Sequence, residues 1–306
     1  MQGPNRRTFL KCSVALAAAS VADRVFSRSP IAGLNLSPGS ADLPFFTGVK
    51  IPEVIAHRGG NGQWPGETLH AMKEATKPNV DADALEMDVY LTQDGRLALM
   101  HDVLIQKTTD GRGFIHRKTL SELQQLSAAY HWPEKGESDF KGKSLNELPE
   151  NLRNDLRVPS LEEVFELFPT RRMVIEMKPA FRPPADELYR LIREHNMSDR
   201  VLVASFSGNY MNRFRELCAR DKTRVATSLA LSKSDLTGLA ADAVEAPFQI
   251  INKEFVKKMR AKNLRVHAWT VNQITDMKNM ISLSVDGIIT DYPGPLLALL
   301  GRIKTA

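Results

Sequence analysis

The run Ala84-Leu85-Glu86-Met87-Asp88-Val89 sets two acids two positions apart inside an otherwise apolar segment. Side chains alternate along a strand, so Glu86 and Asp88 face one side while Leu85, Met87 and Val89 face the other. The result is a carboxylate pair at a strand end. Two more apolar runs, 54–56 and 97–100, lead directly into His57 and His101, so an imidazole stands on either side of the pair in sequence.

Beyond residue 51 the chain alternates between short apolar runs and helical patterns. The spacing predicts strands over 54–57, 84–88, 173–176, 201–205, 224–229, 248–251, 265–269 and 287–290, and helices over 68–76, 160–167, 185–195, 210–220, 253–261 and 273–280. Eight strands alternating with helices predict an α/β fold of the (β/α)8 TIM barrel type. An open doubly wound sheet is the rival, but no Gly-rich dinucleotide loop follows the first strand. Residues 97–100 read as a strand turned back through Gln93-Asp94-Gly95, and 102–158 as a small insertion after the second strand region.

Barrel active sites gather at the C-terminal ends of strands, which is where His57, Glu86, Asp88, Glu176 and Lys178 fall. Charged groups pointing inward from three strands are costly to bury without partners, and a bound cation resolves the cost. Three carboxylates without a thiolate favour a hard, oxygen-seeking ion, Mg2+ or Ca2+, over Zn2+. Each residue also has a plainer reading when taken singly: a structural histidine, a solvent-facing edge, or barrel packing for Trp269.

The order His57-Arg58-Gly59, Glu86-x-Asp88, His101-Asp102, Ile175-Glu176-Met177-Lys178-Pro179, Trp269-Thr270-Val271-Asn272 and Asp286-Gly287-Ile288-Ile289-Thr290-Asp291 resembles the glycerophosphodiester phosphodiesterase family over residues 51 to about 300. The resemblance implies hydrolysis of glycerophosphodiesters to glycerol 3-phosphate and an alcohol. Within it Glu86, Asp88 and Glu176 are the expected metal ligands, and His57 and His101 the acid/base pair. Arg58, Lys178 and Trp269 are expected to contact substrate. Three carboxylates, one divalent ion, Arg58 and Lys178 leave one positive charge to meet the single negative charge of a phosphodiester. Two departures stand out: the family's usual Pro-Glu-Asn-Thr is Pro65-Gly66-Glu67-Thr68 here, and its usual Arg beyond the His-Asp loop is Lys107. A phospholipase D of the sphingomyelinase D type, acting on intact lipid, is the close alternative; a catalytically retired binding barrel is the alternative from another class.

Composition settles the rest. Apolar residues at 42% and charged residues at 25% of 306 are ordinary globular values. Asn5-Arg6-Arg7-Thr8-Phe9-Leu10-Lys11 ahead of a short apolar run reads as a twin-arginine-type export signal over residues 1–22, followed by a tether over 23–50 and the barrel over 51–306. The expected location is therefore periplasmic or extracellular, or anchored through an uncleaved leader. Without Arg6, Arg7 and Lys11 the formal charge drops from +5 to +2, so no nucleic-acid surface is implied. A small phosphodiester is the expected partner, with peripheral proximity to a membrane as a further expectation. Lys257, Lys258, Arg260 and Lys262 read as a solvated helix face, and Cys218, the one cysteine past the leader, as a buried apolar residue.

Overall fold

The structure is a computed structural model that describes residues 43–179, 181–232 and 241–303. The leader and the tether up to residue 42 lie outside these residues. Eight parallel strands close into a barrel: β1 (Glu53–Ala56), β2 (Ala84–Leu91), β4 (Met173–Met177), β5 (Val201–Ser205), β6 (Ala226–Ala230), β7 (Ala243–Pro247), β8 (Arg265–Trp269) and β9 (Gly287–Thr290). The first strand pairs with both β2 and β9, which completes the ring. Strand β3 (Leu97–Leu99) runs back antiparallel on the overhanging end of β2.

Helices cover the outside: α1 (Leu69–Ala75), α4 (Leu161–Leu167), α5 (Ala185–Glu194), α6 (Gly208–Arg220), α7 (Lys253–Arg260), α8 (Ile274–Ser282) and α9 (Pro293–Leu299), with α2 (Leu120–Leu123) and α3 (Glu150–Leu156) between β3 and β4. Their starts follow from local chemistry. Thr68 accepts the Ala71 N–H at 3.1 Å to cap α1, and Ser160 with Glu163 forms a reciprocal capping box on α4. Lys257, Lys258 and Arg260 lie exposed on α7, and Cys218 is buried on α6.

Two sequence expectations need correcting. The apolar run at 248–251 is mostly a 3-10 turn, Phe248–Ile250, and the sixth strand of the ring is β7, Ala243–Pro247, just before it. Bulky residues favour a strand on propensity, but the barrel interior at this point takes small side chains such as Ala243. The tether also ends early. Leu43, Phe45 and Phe46 are buried against the inward residues Ile55, Ala84, Val174, Leu202, Ala226, Ala243 and Ile289, so this segment floors the barrel. Arg172 stacks over Phe45 at 4.4 Å and Arg265 over Phe46 at 4.7 Å.

Residues 102–158 pack around two small apolar clusters. One joins Ile105, Ile115, Leu123 and Val158 to Tyr90, Ala98 and Met100; the other is Ala129, Leu148 and Leu156. Trp132 Nε1 donates to the Asn61 carbonyl at 2.7 Å, tying this subdomain to the loop after β1. No helix among the described residues is long and apolar enough to cross a membrane.

Candidate active site

The C-terminal mouth of the barrel is built on the turn after β1. Arg58 adopts φ 51°, followed by Gly59 at 78° and Gly60 at 100°. A Cβ on Gly59 would lie 2.9 Å from that of Ala71, so glycine is required there on both counts. This left-handed turn aims the Arg58 N–H at Glu86 Oε2, 2.8 Å away, and brings Arg58 Nε to 3.4 Å from Asp88 Oδ2.

Glu86 and Asp88 project inward from β2, and Asp88 is the register partner of Glu176 on β4. One oxygen from each of the three can be chosen so that all lie within 4.8 Å of one another, close enough to share an ion. All three side chains are buried. Lys178, on the same face two residues past Glu176, reaches Asp88 Oδ1 at 3.0 Å and Glu176 Oε1 at 2.9 Å. Apart from these ion pairs, neither Asp88 oxygen, nor Glu176 Oε1, completes a hydrogen bond among the described residues. Buried carboxylate oxygens in that condition, with no sulfur donor among them, suit a hard divalent cation such as Mg2+ or Ca2+.

The electrostatics reflect crowding. Burial pushes Glu176 up to about 7, with the Asp88 charge adding to it and Lys178 opposing. Burial likewise raises Glu86, again reinforced by Asp88. Asp88 goes the other way: burial would raise it, but Lys178 and Arg58 together hold it well below the usual carboxylate range. The same two acids hold Lys178 above its ordinary value against the pull of burial.

The two histidines differ in setting. His57 Nδ1 lies 2.6 Å from Asp291 Oδ1, which leaves Nε2 directed toward Glu86 at 3.9 Å. Burial lowers the His57 pKa, Arg58 lowers it further, and Asp291 counteracts both. His101 sits on the more open loop past β3, its Nδ1 3.4 Å from Asp102 Oδ2. Trp269, at the end of β8, stands edge-on to Phe206 with ring centroids 5.8 Å apart, and its Nε1 has no hydrogen-bond partner among the described residues.

Four further residues belong to this mouth. Asp291 accepts from Asn272 Nδ2 at 2.6 Å, and its own N–H donates to Asn272 Oδ1 at 2.9 Å, so the carboxylate that orients His57 is itself held from two sides. The signal was in the sequence: an acid directly after the last barrel strand must lie at the mouth. Glu67, the acid displaced by one position in the Pro65-Gly66-Glu67-Thr68 departure, is buried at φ 57° and accepts the Asp88 N–H at 3.0 Å through Oε1. The departure at Gly66 has a steric cause, since a Cβ there would lie 2.5 Å from Asn61 Oδ1. Glu245 is a buried acid on β7, and burial together with the nearby Glu176 charge pushes it up to about 8. It lies just before the apolar run 248–251 that local propensity favours as the strand.

Residues 57–295 match the family described as "Glycerophosphoryl diester phosphodiesterase family". The glycerophosphodiester phosphodiesterase of Caldanaerobacter subterraneus subsp. tengcongensis is 33% identical over 256 residues, covering 81% of this chain and 98% of that protein. One from Bacillus altitudinis is 31% identical over 264 residues, covering 83% and 100%. Among solved structures, an Oleispira antarctica phosphodiesterase in complex with the product sn-glycerol-3-phosphate superposes with a TM-score of 0.69 at 23% identity, covering 82% of this chain and 97% of that one.

Proposed function

The chain belongs to the glycerophosphoryl diester phosphodiesterase family of phosphoric diester hydrolases, and from that premise we propose that it uses a divalent cation and two histidines to cleave glycerophosphodiesters to glycerol 3-phosphate and an alcohol. The observation that carries the reading is the convergence of Glu86, Asp88 and Glu176 between Arg58, Lys178 and His57, with His101 on the adjoining loop.

Glu86, Asp88 and Glu176 would hold the ion. Bound there, Mg2+ or Ca2+ would polarise the phosphoryl oxygens and offset the charge that grows on them. Arg58 and Lys178 supply fixed positive charge to the same oxygens, and the planar Arg58 fork can donate two parallel bonds. Asp291 holds the His57 ring so that Nε2 faces the cleft. One imidazole takes the proton from the attacking oxygen as the new P–O bond forms. The other gives a proton to the departing alkoxide as the old P–O bond breaks, so protons and charge balance over the turnover. The Trp269 and Phe206 rings form an apolar wall on the opposite side of the mouth, suited to the carbon skeleton of the substrate.

We further read the chain as exported. The paired arginines ahead of a short apolar run support this, and proteolytic release with loss of the first 22 residues in cells carrying a twin-arginine pathway, but not in cells lacking it, is the expected outcome.

The test of function is product analysis. Protein stripped with a chelator should leave glycerophosphocholine intact, and reloading with Mg2+ or Ca2+ should release glycerol 3-phosphate. Turnover unaffected by stripping would remove the ion from the mechanism. A cyclic phosphate formed from lysolipid would move the reading to the phospholipase D type, and binding without turnover under every metal would move it to a retired barrel.

A further inference from the structure

Among the described residues seven large hydrophobic side chains are exposed: Ile51, Phe114, Leu167, Phe181, Phe206, Ile274 and Tyr292. Their placement is lopsided. Phe181 follows β4, Phe206 follows β5, Ile274 opens α8 after β8, Tyr292 follows β9, and Phe114 lies on the loop that rises beside the β2–β3 hairpin. In a parallel barrel the connections after β4, β5, β8 and β9 are at the C-terminal mouth, and Phe114 joins them through the His116 ring that it shares with Phe181, so five of the seven share the catalytic face. Only Ile51, ahead of β1, and Leu167, at the end of α4, lie toward the other end.

Phe181 is 83% exposed, which is unusual for a phenylalanine that no partner covers. It is held in place: the His116 ring stands 5.0 Å from Phe181 and 5.5 Å from Phe114, forming one aromatic row. Arg117 sits over Phe114 at 5.6 Å, and Arg182 donates to the Thr92 and Gln93 carbonyls at the base of the hairpin turn. Lys107 and Arg112 are exposed on the same lip. None of Lys107, Arg112, Arg117 and Arg182 forms an ion pair among the described residues. The acids of the lip are engaged by local donors: Asp94 by Thr92 and the Leu120 N–H, Asp110 by the Ser127 N–H, and Asp102 by His101.

We infer that this rim of aromatic side chains and unpaired cations seats the barrel mouth on an anionic lipid surface. Several facts favour a bilayer over a protein partner. The apolar residues are spread over separate loops around an opening and do not line one groove, which suits a soft planar surface. Aromatic rings beside basic side chains are the composition that partitions into the headgroup region. The free cations complement an anionic leaflet, each contributing attraction that salt screens. The seating would hold the opening of the active site against the layer from which phosphodiester headgroups come. This surface shares Phe206 with the substrate wall described above, but the aromatic row and cations that carry the inference take no part in the catalytic assignment.

The experiment is co-sedimentation of the full chain with vesicles of phosphatidylcholine alone or mixed with phosphatidylglycerol, read beside turnover of soluble glycerophosphocholine. Binding to the mixed vesicles should exceed binding to the neutral ones and should weaken as salt is raised. Removing two interfacial rings in the double variant Phe114→Ser/Phe181→Ser should weaken vesicle binding by roughly tenfold or more. The same variant should turn over the soluble diester within about twofold of the parent, since neither ring touches the reacting groups, and that activity also shows that it is folded. The opposite-face control Ile51→Ser/Leu167→Ser should bind vesicles as the parent does. The inference is overturned if the parent binds neither vesicle, if the Phe114/Phe181 variant binds undiminished, if the control loses as much, or if the rim captures a protein while vesicles do not compete.

Discussion

The two ends of the barrel use the same groups for opposite purposes. At the N-terminal end Glu53 pairs with Arg172 at 2.6 Å, Arg172 and Arg265 lie on Phe45 and Phe46, and the aromatic floor shuts out water. At the C-terminal end Glu67, Glu86, Asp88, Glu176 and Asp291 gather around Arg58 and Lys178, the two cations among the described residues there, and the mouth stays open at His57 and His101. Sealed and near balance, the first arrangement is structural. Open and rich in carboxylates, the second could take up an added positive charge at the triad of Glu86, Asp88 and Glu176. The difference teaches that a buried ion pair says little by itself; the surplus of one sign and the access of solvent are what mark a site.

That contrast can be broken by mutation, and the largest effect is expected at the open end. His57→Ala, and separately His101→Ala, should cut turnover by about 10² to 10⁴ while leaving cation affinity and the denaturation midpoint close to those of the parent. A variant keeping parental turnover would remove that histidine from the mechanism. At the closed end the signs reverse. Phe45→Ala should cost about 3–5 kcal/mol of stability, seen as a lower urea midpoint, with per-molecule activity little changed wherever the protein is still folded. If activity falls in step with the stability of the folded fraction's site, the two ends are not independent.

Between these lies Asp291→Asn, which keeps the shape beside His57 but not the charge. It should lower turnover less than His57→Ala does and move the pH profile, because Asp291 opposes the burial that depresses His57. An unshifted profile would make Asp291 a packing residue.

A smaller effect sharpens the account of the floor. Burial, with Arg172 and Arg265 nearby, pushes His267 down to about 3. The unfolded chain takes up a proton near the ordinary imidazole value and the folded chain only near 3. Stability is therefore full above that ordinary value and is lost as pH falls through the window between them. His267→Asn should flatten this part of the curve of unfolding free energy against pH, and an unchanged slope would clear His267 of the acid lability. The smallest signal is chemical. Cys218 is pushed up to about 12 by burial, so alkylation in native buffer should be slow and should become complete only on denaturation.

Much of the ring was legible because parallel strands buried on both faces read as apolar runs, and because Glu86, Asp88, Glu176 and Lys178 interrupt those runs at period two. What escaped has physical causes. The strand Ala243–Pro247 is short, holds an acid and two alanines and ends in proline, so local propensity pointed past it to Phe248. Helix α3 buries only Leu156, and its polar residues gave no period to detect. The floor residues Phe45 and Phe46 followed a Ser- and Pro-rich stretch, and nothing local says that a flanking segment folds back under a barrel. In the site, composition and order gave the acids and both histidines as candidates, whereas the partnership of Asp291 with His57 and of Glu67 with the Asp88 backbone depends on loops whose paths only the fold supplies.

The bond between His57 and Asp291 spans 234 positions, from the first strand to the turn after the last. A ribosome delivers the imidazole early and its carboxylate almost at the end. A nascent or C-terminally clipped molecule would therefore carry Glu86, Asp88 and Glu176 while its His57 ring still lacked the carboxylate that holds it.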